Sequence, residues 1–139
     1  MRKKKLVVEV DNQSSIFGLV SSLRDYKLAW KINQVFKIHL VKMPPLCFQM
    51  LTGADLQVIN FEYRTEYFKI ILIKNRGLED EAQYLIPELT RFDYFMMIDG
   101  VDFFLKENQV KERIKELEGV DYVHLVDTQK LKSRDNFIF

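Results

Sequence analysis

Residues Tyr84 to Gly100 read YLIPELTRFDYFMMIDG. Pro87 cannot donate to a sheet ladder and biases Ile86 toward extended geometry, so the stretch reads as the approach to a strand. Phe92 to Ile98 is that strand, and Asp99-Gly100 ends it. Its two faces decide the fold. One carries Phe92, Tyr94, Met96 and Ile98, and the other carries Phe95 and Met97. A sheet with one wet face would alternate apolar with polar residues, and this strand does not. Tyr67, Ile71 and Ile73 against Phe68, Ile70 and Leu72 repeat the pattern. Val120, Tyr122 and Val126 against Val123 and Leu125 repeat it more weakly.

Working outward, Lys5 to Val10 alternates and reads as a first strand, and Ser14 to Gly18 has turn character. Residues 21–37, SSLRDYKLAWKINQVFK, follow. Ser22 and Asp25 form a variant capping box, and Leu28, Ala29, Ile32, Val35 and Phe36 make an apolar helical stripe. Leu23, Tyr26 and Trp30 widen that stripe. Ile38 to Met43 is a strand that Pro44-Pro45 terminates. Leu56 to Tyr63 and Tyr67 to Lys74 form a hairpin across Arg64-Thr65-Glu66. Asn75-Arg76-Gly77 closes it, and LEDEAQ (78–83) is a solvated acidic loop. Asn108 to Glu118 is a second helix with Gly119 as its C-cap, and Val120 to Val126 is the last strand.

The order is therefore β-α-β-β-β-β-α-β. It predicts an α+β two-layer sandwich, a mostly antiparallel sheet of about six strands with two helices, in a single domain over residues 1–139. Without the Leu56–Lys74 hairpin the order is the ferredoxin-like β-α-β-β-α-β, an analogy of order alone.

Two helices, each roughly 10 Å wide over strands about 4.8 Å apart, cover about four strands on one face. The other apolar face needs its own cover. A second copy of the chain is the primary expectation, with Phe68, Ile70, Leu72, Phe95, Met97, Phe137 and Phe139 as candidate interface residues. The alternative is cover by loops, including Phe137-Ile138-Phe139 and Pro44–Phe48.

A chain of 139 residues with 47% hydrophobic content and 11 phenylalanines can bury a core of its own. The net charge of +1 supplies no general field for nucleic acid or anionic lipid. One cysteine, Cys47, excludes an internal disulfide and fits a reducing compartment, and the apolar run after Lys5 is too short for an export signal or a membrane span. A cytoplasmic protein is expected.

Catalytic chemistry has little to build on. Glu88 and Asp93 lack a visible second positioned group, so they read as structural, and Tyr94 reads as core or interface. His39, His124 and Cys47 have no metal-ligand spacing, and no cofactor or metal is expected. Asn75-Arg76-Gly77 is no phosphate loop. Lys3 and Lys4, with Lys132 and Arg134 near the other terminus, are a candidate basic patch for RNA.

Ile86-Pro87-Glu88, three residues, then Phe92-Asp93-Tyr94 resembles the motif of the IPExxxVDY family of small bacterial proteins, with Phe92 where the pattern has Val. SSLRDYKLAWKIN (21–33) and KLKSRDNFIF (130–139) are similar to other recurring stretches of that family. The resemblance implies a bacterial protein and no particular activity. The leading expectation is a non-catalytic, homodimeric interaction or structural module. The alternatives are a small-molecule-binding regulatory domain with its site at a dimer seam, and an RNA-associated accessory protein.

Overall fold

The structure is a computed structural model that describes residues 14–50, 53, 55–80, 82–100 and 105–127. The expected strand Lys5–Val10 therefore lies outside the described residues, as do Lys3, Lys4, Lys132, Arg134, Phe137 and Phe139. Six strands and two helices follow in the order β1 (Ser14–Ser21), α1 (Asp25–Phe36), β2 (Val41–Gln49), β3 (Asp55–Arg64), β4 (Lys69–Lys74), β5 (Tyr94–Asp99), α2 (Glu107–Lys115) and β6 (Val120–Leu125). The expected α+β sandwich is what forms. One sheet runs β2-β3-β4-β5-β1-β6, and every neighbouring pair is antiparallel. The β5–α2–β6 crossover straddles β1, which is the split β-α-β logic of the ferredoxin-like order. β3 and β4 stand between β5 and β2.

Both helices pack on one face. Leu28, Ala29, Ile32 and Phe36 of α1 and Val110 and Ile114 of α2 meet Phe17, Leu19, Ile70, Leu72, Met96 and Ile98 in one core. A second core lies across the sheet, where Ile16, Val58, Ile71, Ile73, Phe95 and Met97 pack with Leu85, Ile86 and Phe92. The double-sided apolar character of the strands is thus real, and its cover comes from the chain itself. Residues 75–93, between β4 and β5, fold back across the second face.

Asn75 holds this cover in place. Its side chain is fully buried (0% exposed) and makes three hydrogen bonds. Nδ2 donates to the carbonyls of Leu89 (3.0 Å) and Phe92 (2.9 Å), and Oδ1 accepts from the N–H of Ile86 at 2.9 Å. Its backbone takes part too, donating to Asp93 O and accepting from Leu85 N. A loop turned inward would otherwise strand these peptide groups away from water. A bridge between Arg76 and Tyr84, with the guanidinium 4.9 Å from the ring centroid, closes the solvent-facing excursion between them.

Several expectations change. Ser14–Gly18 is no turn but the first five residues of β1, a strand paired on both sides. Gly18 reads as a turn residue but is there for space: a Cβ would sit 2.7 Å from Cγ of Phe92. Pro44-Pro45 do not terminate β2. They lie within it on the sheet's edge, where missing N–H groups cost little, at a register shift between Met43 and Leu46. Asn60 there donates to Pro44 O. The Ser22–Asp25 capping box does not form: Arg24 is the N-cap without a side-chain cap bond, and Ser21 Oγ accepts from Leu23 N–H. α2 ends at Lys115, and Gly119 (φ 96°) serves the turn into β6 against Leu23.

The candidate interface is also corrected. Residues opposite each other on antiparallel strands share a face, and Leu72 pairs with Met96 whereas Ile73 pairs with Phe95. Ile70 and Leu72 therefore face the helices while Phe95 and Met97 face the 75–93 cover, and all four are buried within one chain. Phe68 packs at the rim of the helical core against Tyr63.

Asn75→Ala should lower unfolding stability by about 3 kcal/mol, because the buried Phe92 carbonyl and Ile86 N–H lose this partner and the Leu89 carbonyl keeps only the Phe92 N–H. Gly18→Ala should lower it by about 1–3 kcal/mol by overpacking against Phe92. Urea unfolding measures both. Amide exchange on Asn75→Ala should show Leu85 and Ile86 exposed before the helical core.

Candidate functional site

The motif spans two environments. Ile86 is wholly buried in the second core, and Pro87 opens a 3-10 turn, Pro87–Leu89, as its fixed φ favours. Glu88 is on the solvent side of that turn. Asp93 and Tyr94 lie where the cover re-enters the sheet. Asp93 Oδ2 accepts the N–H of Ser21 at 2.8 Å, and Asp93 N–H donates to Leu19 O. Tyr94 reaches through the helical side, and its hydroxyl donates to Leu23 O at 2.7 Å. Together they fasten the start of β5 to the corner between β1 and α1.

A cleft of about 320 Å³ opens at this corner. Arg24, Lys74 and Arg76 bring positive charge to it, and Ser21, Ser22, Asp25, Asp93 and Tyr94 complete the polar lining. Burial pushes the Tyr94 hydroxyl up from its ordinary 10.0 to about 12, and the Asp25 and Asp93 carboxylates add to the rise. Tyr94 is therefore neutral at physiological pH, and its proton is committed to a backbone carbonyl. Asp93 is committed to a backbone N–H. The cleft can hold a small polar or zwitterionic molecule by charge pairing, but its two motif residues do structural work.

The remaining candidates are scattered. His39 is exposed between α1 and β2, and His124 is exposed on β6. Cys47 is half-buried on β2. Among the described residues no three potential ligands come together to hold a metal ion, and no helix is long and apolar enough to cross a membrane.

Two surface features were not anticipated. Trp30 and Tyr26 do not widen the buried stripe of α1: they are 55% and 62% exposed on its outer side. On β6, Tyr122 and His124 lie flat beside Phe92, with ring planes within 12° of one another and centroids 6.1–6.3 Å apart. The Arg91 guanidinium sits over Phe92 at 5.0 Å and over Tyr122 at 5.2 Å. Comparison with protein-family models and with curated proteins finds no match for the chain.

Tyr94 makes stability depend on alkaline pH. Its folded pKa is above its unfolded one, so between pH 10 and 12 the unfolded state releases a proton that the native state keeps. Its stabilising contribution is complete below pH 10 and lost by pH 12. Tyr94→Phe should cost about 1 kcal/mol at neutral pH and flatten that part of the pH dependence, as read by urea midpoints against the parent. Pro87→Ala and Glu88→Gln should each change the midpoint only modestly. Loss of a discovered activity with fold intact in either variant would contradict a structural role for the motif.

Proposed function

We propose that the chain is a non-catalytic interaction module that acts as a homodimer through the outer edge of β6. Buried sheet faces no longer supply a dimer seam, and the difference between the two sheet edges carries the reading instead. β2 is blunted by Pro44, Pro45 and a register shift. These are devices that stop strands from adding. β6 has no proline, and its own register shift, at Asp121, is confined to its start. It is six residues without proline or glycine, no described strand pairs with its outer side, and it exposes Tyr122 (43%) and Leu125 (36%).

Self-pairing has a natural register. A twofold axis at Val123 sets Tyr122 opposite the partner's His124, on the face that already carries the Phe92–Tyr122–His124 rings. Asp121 then meets the partner's Leu125 rather than another acid. Aromatic cross-strand pairs of this kind stabilise sheets. So short a contact buries little area and makes a dimer that depends on concentration. A cytoplasmic location and kinship with the IPExxxVDY proteins belong to the same proposal, the latter on the residues of its motif.

The cleft at the β1–α1 corner favours a second reading, a regulatory domain that binds a small polar molecule within one chain. A metabolite bound only by the native state would raise the melting temperature, and Lys74→Ala with Arg76→Ala would abolish the rise. No shift across a broad panel of charged metabolites would end that reading.

Sedimentation equilibrium over a range of concentrations tests the dimer. Dimer mass should emerge as concentration rises, and Tyr122→Lys with Leu125→Lys should return the monomer with the fold intact by circular dichroism. A parent protein that stays monomeric throughout, or a doubly substituted one that still dimerises, would refute pairing at β6.

A further inference from the structure

We propose that the outer face of α1 is a docking surface for an acidic amphipathic helix of a partner protein. The sequence contains one tryptophan, and the fold leaves it more than half exposed. Adjacent exposed aromatics mark contact surfaces where single ones do not, and Trp and Tyr are among the side chains that most often anchor them. α1 needs neither for its core. Leu28, Ala29, Ile32 and Phe36 fill the contact with the sheet.

The arrangement specifies a partner. Tyr26 and Trp30 are four residues apart and form one row along the helix. Lys27 and Lys31 are also four apart and form a second row beside the first. Arg24 and Lys37 add positive charge at the two ends, and Asp25 is the sole acid between them. An apolar row next to a cationic row is complementary to a facing helix with leucines and glutamates at the same spacing. The net charge of +1 makes this a local pattern rather than part of a general field.

Other occupants fit less well. An interfacial membrane helix inserts its apolar face into lipid, and the apolar face of α1 is already buried in the protein. Single-stranded RNA needs a cationic track along several nucleotides with ring faces presented for stacking, whereas the described cations here run along one helix of twelve residues.

The single tryptophan makes the test direct, because any change in emission reports on Trp30. The probe is a synthetic helical peptide with Leu and Glu in adjacent i, i+4 rows, titrated into the full chain and into its Tyr122→Lys, Leu125→Lys variant. Saturable binding with a blue shift of Trp30 is expected in both. The Lys27→Glu, Lys31→Glu variant, checked by circular dichroism, should bind about tenfold more weakly or worse. A control peptide with Lys in place of Glu should not bind. The proposal is overturned if the Glu peptide leaves the emission unchanged, or if both peptides bind alike. It is equally overturned if the blue shift comes with polyuridine, with phosphatidylserine vesicles, or with rising protein concentration alone.

Discussion

The structure depends on closing the second apolar face of its sheet. Four of the six strands carry large hydrophobic side chains on both sides, and two helices can shield only one of them. Exposed to water, the other face would cost on the order of 25 cal/mol for every square ångström of apolar surface. The chain closes it with a loop, and a loop can be buried only if its peptide groups find partners. Asn75 supplies them: one amide, with two donors and a carbonyl, satisfies the backbone at three points of the cover. A single polar side chain thereby permits a large apolar contact, and its own burial is tolerated because every bond is made.

The residues of the opening motif find their reason in this arrangement. Ile86 and Phe92 are the apolar weight of the cover, Pro87 turns it, and Asp93 and Tyr94 lock its exit against the corner where α1 begins. The lock joins the two cores, since Asp93 belongs to the loop on one side while Tyr94 reaches a carbonyl under the helices on the other. Ile86, Asp93 and Tyr94 placed this way hold the fold together.

Much of this was legible in the residues. The α1 stripe, the β3–β4 hairpin and the double-sided strands all carry strong periodicity, and with them came the element order and the sandwich. What failed did so for identifiable reasons. Ser14, Ser15 and Gly18 have turn chemistry, yet Gly18 is selected by the ring of Phe92, a partner 74 positions away (92 − 18). Pro44-Pro45 signals a strand's end, but an edge strand has one side on which a missing donor is harmless. Trp30 and Tyr26 fit the helical period of the core, and only the width of the sheet contact shows that they are left out. Asn75 looks like a turn residue because nothing local reveals which way its amide points. Most of these errors concern a long-range partner; the missing cap of α1 is a local one, and in β6 a bulge puts Val120 and Val123 on one face against the period of two.

The pair of prolines has a further consequence. Because the prolines blunt one margin of the sheet, strand addition is disfavoured there. Two molecules joined at the open margin would present prolines at both outer ends. An assembly of the proposed kind would therefore stop at two instead of extending into an open-ended fibre.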